Sequence, residues 1–104
     1  RAALKWGKLM RPGKPEALRL QGRYVWLKGN AAQAQGWWQK SLAEAERLGM
    51  PYELGLTHLE IGRRLGERDP QKPEHLKQAE AIFTQIGAER DLTKVRELQL
   101  VMMR

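Results

Sequence analysis

The sequence contains no cysteine, and this absence removes several classes of protein at once. It excludes disulfide-stabilised folds and cysteine-ligated metal sites, and it fits a reducing, cytoplasmic compartment. Histidine is almost as scarce: the chain has two, His58 and His75, and neither belongs to an HExxH arrangement. We therefore predict no metal site and no cofactor.

Long apolar runs and catalytic motifs are also missing. No stretch approaches the roughly 20 apolar residues that cross a bilayer. The single serine, Ser41, does not stand in a GxSxG elbow, and no GxxxxGK[ST] phosphate loop occurs. We therefore do not expect an enzyme. The opening "RAALKWGKLM" lacks the features of a secretory signal, and because it starts with Arg1 we expect a piece of a longer protein.

The composition that remains is that of one small, basic, folded domain. The 104 residues are 41% hydrophobic, and 19 Lys and Arg outnumber 12 Asp and Glu, for a formal net charge of +7. Such a balance suits a nucleic-acid or acidic-peptide partner. The charges are scattered without a run of five or more, however, which favours an ordinary solvated surface.

Helix-forming residues dominate the chain, and apolar residues recur every three or four positions. Breakers such as "RPGKP", "GN" and "GMP" divide the pattern into helices. The predicted helices span about 15–28, 31–48, 52–65 and 74–86, and a last one begins with Asp91 as its N-cap. Positions predicted to face inward include Trp38, Leu48, Ile61, Leu76 and Ile86.

The helical pattern repeats itself. "WWQKSLAEAERLGMPYEL" aligns without a gap with "HLKQAEAIFTQIGAERDL" at a spacing of 38 residues, so that Trp38 falls on Leu76 and Trp37 on His75. The helices that precede these two segments align at a spacing of 36, with Leu18 on Leu54. A helix-turn-helix unit with this period is typical of a helical solenoid.

This pattern resembles the tetratricopeptide repeat (TPR) family, through Leu18, Gly22, Gly29, Ala34, Trp38 and Ser41. The resemblance implies an all-α, right-handed solenoid of antiparallel helix pairs. Residues 15–50 would form repeat one and 51–88 repeat two, with the end of a preceding repeat at 1–11 and a capping helix at 90–104. The second unit departs from the family where His58 stands in the place of Gly22.

The segment "HLKQAEAIFTQIGAERDL" is similar to the last repeats of large bacterial signalling proteins, in which an ATPase, sometimes with a cyclase, kinase or transcription-factor domain, precedes a TPR array. The resemblance implies a non-catalytic module for protein–protein interaction or intramolecular scaffolding in signal transduction. By analogy the first helices would line a peptide groove, and the arginines there favour an acidic segment or C-terminus. The candidate groove residues are Arg19, Arg23, Trp26, Tyr52, Leu59 and Arg63.

Other residues receive structural roles. The alignment makes Trp38 a core residue and leaves Trp37 more exposed, as a candidate for contact with a partner. We expect Glu44 and Glu46 to be solvated partners of Lys40 and Arg47. The ends of a short solenoid expose apolar residues that could drive self-association. At the two ends these are Leu4, Trp6 and Leu9, and Leu98, Leu100, Val101 and Met102.

Residues 56–83 support an alternative. "LTHLEIGRRLGERDPQKPEHL" resembles a LuxR-type helix-turn-helix, with Arg63, Arg64 and Lys77 as phosphate contacts. Pro70 and Pro73 stand where the recognition helix should begin, which shortens that helix. This interpretation also leaves residues 15–50 unexplained, whereas the repeat accounts for both halves. We therefore favour the repeat.

Overall fold

The structure is a computed structural model that describes residues 14–103. These residues form the helices α1 Lys14–Leu27, α2 Ala31–Arg47, α3 Pro51–Arg64, α4 Gln71–Ile86 and α5 Glu89–Met102, with no strand among them. The predicted all-α class is therefore confirmed over this range. The expectations for residues 1–11, including the apolar end at Leu4, Trp6 and Leu9, lie outside the described residues.

Glycines end three of the helices. Gly29, Gly49 and Gly87 have φ of 95°, 65° and 73°, a left-handed conformation that side chains disfavour. The next helix then starts at once. Asn30 Oδ1 accepts a hydrogen bond from the Gln33 amide at 3.0 Å, and Pro51 occupies the first turn of α3. The short turns fold successive helices back on one another.

Two helix starts differ from the prediction. Helix α4 begins at Gln71, three residues early, because the Asp69 carboxylate accepts the Gln71 amide at 2.9 Å and Pro73 fits the first turn. Helix α5 begins at Glu89 with Ala88 as its N-cap, so the prediction that Asp91 caps this helix was wrong. Asp91 lies in the first turn instead, and it accepts a hydrogen bond from the Tyr52 hydroxyl at 3.0 Å.

The helices pack as antiparallel neighbours. The Ser41 hydroxyl donates to the Pro15 carbonyl at 2.7 Å, and Trp38 Nε1 donates to the Arg19 carbonyl at 3.2 Å, so α2 runs back along α1. Helices α3 and α4 form a second such pair, and α5 packs on α4. Helix α1 also contacts α3, which joins the two pairs.

Two apolar clusters form the core. One lies mainly within the first pair and reaches α3, and the other joins α3, α4 and α5. Trp38, Ile61 and Leu76 are fully buried, as predicted, but Leu48 and Ile86 are 38% and 40% exposed. These two were wrongly placed inside, because each lies at the very end of its helix, next to the closing glycine. The clusters comprise Val25, Ala34, Trp38, Ile61 and Leu65, and Leu59, Leu76, Ala79, Phe83, Leu92 and Val95.

None of the helices between residues 14 and 103 combines the length and the hydropathy that a membrane span requires.

Candidate partner-binding site

The two arginines at the centre of the predicted groove are engaged within the protein. Arg19 Nη1 lies 2.6 Å from Glu53 Oε1, and Arg19 is buried. Arg23 donates two hydrogen bonds to Glu60, at 2.8 and 3.2 Å. Both pairs run from α1 to α3, so these guanidinium groups brace the two helices against each other. An acidic ligand would have to displace an internal carboxylate to reach them.

Glu60 is the centre of this brace. Its side chain is 3% exposed, and Arg64 Nε also donates to it, at 2.9 Å. Burial alone would raise the pKa of Glu60, but the hydrogen bonds and charges of Arg23 and Arg64 outweigh burial and hold this pKa below its usual value. The hydrogen bond to Glu60 in turn raises the pKa of Arg23. The carboxylate is therefore ionised and fully paired.

The other predicted groove residues divide into buried and exposed members. Leu59 is 4% exposed and belongs to the core, and the half-buried Trp26 ring lies 5.6 Å from that of Trp38. Tyr52 is 44% exposed and its hydroxyl is bound by Asp91, whose acceptance of that hydrogen bond raises the pKa of Tyr52. Arg63 is exposed, and its side chain forms no hydrogen bond or ion pair with another residue of 14–103.

A separate groove, which we call the Trp37 groove, opens between the start of α1 and the outer face of α2. Its volume is about 390 Å³. The lining combines apolar surface with three cationic side chains and one carboxylate. Its residues are Lys14, Leu18, Trp37, Lys40, Ala43, Glu44 and Arg47.

The Trp37 groove carries a net positive charge because its three cationic side chains outnumber its one carboxylate. Arg47 donates two hydrogen bonds to Glu44, at 2.7 and 2.8 Å, and Lys14 Nζ lies 3.2 Å away. The hydrogen bonds from Arg47, together with Lys14 and against the effect of burial, lower the pKa of Glu44 to about 2. Lys40 Nζ lies 4.9 Å from the centre of the Trp37 ring, a cation–π contact. A ligand with a carboxylate and an apolar group matches this surface.

Sequence analysis predicted parts of this groove and missed others. Trp37 is more exposed than Trp38, as expected, and Glu44 does pair with Arg47. Glu44 was wrongly described as solvated and paired with Lys40; it is 9% exposed, and its second partner is Lys14. Lys14 begins a different helix, so the periodicity of α2 carried no signal of this contact.

Two further buried polar residues were also missed. Lys72 is 6% exposed, and its ammonium group donates to the carbonyls of Gly62 and Leu65 at the end of α3. Thr57 is fully buried, 2.9 Å from the Ser41 hydroxyl. Both satisfy polar groups where helices meet, a need that arises only from the packing.

Comparison with known protein families, with curated proteins and with solved structures finds no match for this chain.

Proposed function

We propose that this chain is a non-catalytic interaction module of the TPR type, a right-handed solenoid whose two repeats bind a protein or peptide or serve as a scaffold within a larger signalling protein. The repeats are the α1–α2 and α3–α4 pairs, and α5 is the capping helix. The proposal joins the sequence period to the order in which the helices pack.

The observation that carries this proposal is the parallel alignment of the first helices. Along α1 and α3, the pairs Arg19–Glu53 and Arg23–Glu60 advance in the same direction. Helix α5 continues the series, because Tyr52 at the start of α3 bonds Asp91 at the start of α5. Helices α2 and α4 each pack on the first helix of their own pair. Such a stack, in which each unit packs on the next, is how solenoid repeats bury their cores.

The use of buried polar groups supports a non-catalytic role. Ser41 donates to a backbone carbonyl, and Glu60 is held by two arginines. No buried side-chain nitrogen or oxygen within residues 14–103 lacks a hydrogen-bond partner. A catalytic group normally has a donor or acceptor position available to its substrate. These groups instead form hydrogen bonds that join helices.

The chemistry of the Trp37 groove favours an acidic segment as the ligand. The groove carries three cations against one carboxylate. Arg47 and Lys14 pair with Glu44, whereas Lys40 is exposed and forms no ion pair within residues 14–103, so Lys40 is the cation most accessible to a ligand. Trp37 and Ala43 offer apolar surface beside them. A peptide that alternates acidic and apolar residues would satisfy both features.

Fluorescence anisotropy with a labelled peptide of alternating Glu and Leu tests the proposal. We expect the wild-type protein to bind, and Trp37→Ala and Lys40→Glu to weaken binding because they remove the apolar and the cationic contact. Lys77→Glu is the matched control: it changes the charge equally, but on the exposed surface of α4. Absence of wild-type binding, or equal loss in all three variants, would reject this ligand site.

The same Lys77 variant separates the DNA-binding alternative. In that hypothesis Arg63, Arg64 and Lys77 contact phosphates, so salt-dependent retention of duplex DNA would be weakened by Lys77→Glu. The interaction module predicts that Lys77→Glu leaves peptide binding intact and that duplex DNA is not retained at physiological salt. DNA retention that depends on Arg63 and Lys77 would favour the alternative.

A further inference from the structure

The two histidines of the chain meet in space. His58 on α3 and His75 on α4 are 17 residues apart in sequence, and their Nδ1 atoms lie 3.0 Å apart. The ring centres are 5.2 Å apart and the planes are tilted by 36°. Both side chains are half-buried at the seam between the two helices. The Nδ1 atoms of the two rings therefore face each other across this seam.

Helix packing alone does not require this pair. In the first helix pair the positions that align with His58 and His75 are Gly22 and Trp37. Gly22 allows close approach there, since a Cβ on it would lie 2.4 Å from Trp38 Nε1. In the second pair that role has moved to Gly62, where a Cβ would lie 2.6 Å from a Leu76 methyl carbon. The two imidazoles are thus additional to the contact that brings α3 and α4 together.

Both rings are neutral, which is the charge state in which imidazole binds metals. Burial, with a smaller effect of the neighbouring His75, lowers the pKa of His58 to about 4. Burial also lowers the pKa of His75, although the charges of Asp69 and Glu74 act in the opposite direction. Both imidazoles are therefore neutral at pH 7. In the bond between them one ring carries its proton on Nδ1 and the other offers a lone pair.

We propose that His58 and His75 form a two-imidazole binding site for a divalent transition-metal cation such as Zn²⁺, Ni²⁺ or Cu²⁺, held between their Nδ1 atoms. Moving the shared proton from Nδ1 to Nε2 of the same ring frees the second lone pair, and no proton leaves the protein in that step. Imidazole nitrogen is a preferred ligand of these cations, whereas Ca²⁺ and Mg²⁺ prefer oxygen.

The separation of the nitrogens fits such an ion. With metal–nitrogen bonds of about 2.0 to 2.1 Å, two ligands stand roughly 3.3 Å apart in a tetrahedral site and roughly 2.9 Å apart at a right angle. The observed 3.0 Å lies between these values. The distance between the two nitrogens therefore needs to change by only a few tenths of an ångström, and each ring must also rotate so that its Nδ1 lone pair points at the ion instead of at the other nitrogen.

Water completes the coordination. Residues 14–103 contain no group of three or more His, Asp or Glu side chains arranged to hold a metal ion. The site therefore has two protein ligands and open positions, unlike a closed structural zinc site. The bound ion would cross-link α3 to α4 and stabilise the folded state, because the unfolded chain does not hold the two rings together.

The scarcity of ligands in this chain makes the experiment clean. There are two histidines and no cysteine, so protein without a polyhistidine tag offers little competing soft ligand. Chelator-treated, ¹⁵N-labelled protein is titrated with Zn²⁺ while the imidazole nitrogens are followed by NMR. We expect both Nδ1 signals to move together to metal-bound positions, both Nε2 atoms to carry protons, and the thermal midpoint to rise.

His58→Gln and His75→Gln each remove one ligand and keep a polar side chain. Both variants should lose the coupled Nδ1 response and the metal-dependent rise in midpoint, and circular dichroism of the metal-free variants checks that they fold. Ni²⁺ and Cu²⁺ should also raise the wild-type midpoint, and Mg²⁺ should not. Wild-type Nδ1 signals that stay unchanged, or an equal midpoint rise in the variants, would overturn the site and leave the histidines as a hydrogen-bonded packing pair.

Discussion

The helix pairs α1–α2 and α3–α4 are both antiparallel, but their large core side chains lie at different positions along the helices. In the first pair, Trp38 packs on Gly22. In the second, the aligned residue is the smaller Leu76, and the aromatic ring has moved seven positions along the helix to Phe83, which packs on Gly55. The position of the glycine thus follows that of the ring. In both pairs a glycine faces the largest ring of the core, which allows the two helices to approach closely.

The second difference lies at the outer seam of each pair. The first pair places Trp37 there, beside Lys40, and opens a groove. The second pair places His75 there, in contact with His58. The first helix pair therefore has an open cationic surface at this position, and the second has a closed imidazole pair. We infer that the two helix pairs differ most in chemistry at positions that face away from the shared core.

The largest expected effect comes from filling the glycine contact of the first pair. In Gly22→Ala the new Cβ would lie 2.4 Å from Trp38 Nε1. The indole is rigid, fully buried and bonded to the Arg19 carbonyl, so it cannot yield easily. We expect the free energy of unfolding to fall by about 2 to 3 kcal/mol. Urea denaturation measures the change.

Two matched glycines sharpen this prediction. Gly62→Ala meets the end of a flexible side chain, a Leu76 methyl group at 2.6 Å, and should cost less, about 1 kcal/mol. Gly36→Ala has open space in an exposed part of α2 and should stabilise the protein by about 0.5 to 1 kcal/mol. Equal losses at Gly22 and Gly62 would contradict the contrast between a rigid and a flexible neighbour.

The second largest loss of stability is expected when the ion pairs between α1 and α3 are broken. Glu60→Gln keeps the shape of the side chain but removes the charge that binds Arg23 and Arg64. Both arginines are partly exposed and can turn towards water, so we expect a loss of about 1 to 2 kcal/mol. Thermal and urea unfolding monitored by circular dichroism would measure it.

Glu80→Gln is the control for this substitution. Glu80 on α4 lies 3.6 Å from Arg96 on α5 and accepts a hydrogen bond from Gln99; these side chains are partly exposed, so the contacts contribute little. Its replacement should leave the unfolding midpoint almost unchanged. If Glu80→Gln and Glu60→Gln proved equally harmful, the special role of the α1–α3 brace would be refuted.

The two helix pairs also differ in how their stability responds to pH. The pKa of His58 is about 4 in the folded protein, and an unfolded histidine titrates near 6.5, so the unfolded chain binds more protons between these values. Stability is therefore full above pH ~6.5 and declines as the pH falls towards 4. His75 contributes in the same direction, since burial also lowers its pKa.

The matched variant for this prediction is His58→Gln with His75→Gln. It should remove the slope of stability between pH ~6.5 and 4.5, while the losses below that range, where Glu44 and Glu60 take up protons, remain. Unfolding midpoints measured across the range in chelator-containing buffer decide the matter. An unchanged slope in the double variant would show that other groups produce it.

Much of the helical scheme could be predicted from local residue types. Gly29, Gly49 and Gly87 mark helix ends because few other residues adopt the left-handed conformation found there. Trp38 could be assigned to the core because it lies on an apolar helix face and aligns with Leu76 in the second segment. The errors lie at the ends of helices, where Ile86 has no neighbour to bury it and where Asp91 bonds Tyr52.

The candidate site was predicted less completely. Trp37 was recognised as the exposed member of its pair, but the cations of its groove come from both α1 and α2. Arginines such as Arg19 and Arg23 are common in grooves that bind acidic peptides. In this protein, however, they form ion pairs with Glu53 and Glu60. The spacing of apolar residues predicts which face of a helix a residue lies on. It does not predict which side chain of a neighbouring helix will contact that residue.

The sequence by itself determined the all-α class, the division into helices and the recurrence of the helical pattern after 36 to 38 residues. These features follow from local propensity, turn glycines and apolar spacing. Only the tertiary structure decided which charged side chains form ion pairs within the protein and which remain exposed to solvent. It also decided that Gly55 and Gly62 provide the close contacts between α3 and α4, and that His58 and His75 meet. Those outcomes depend on distances between helices, and such distances are set by the packing of whole side chains rather than by any local pattern.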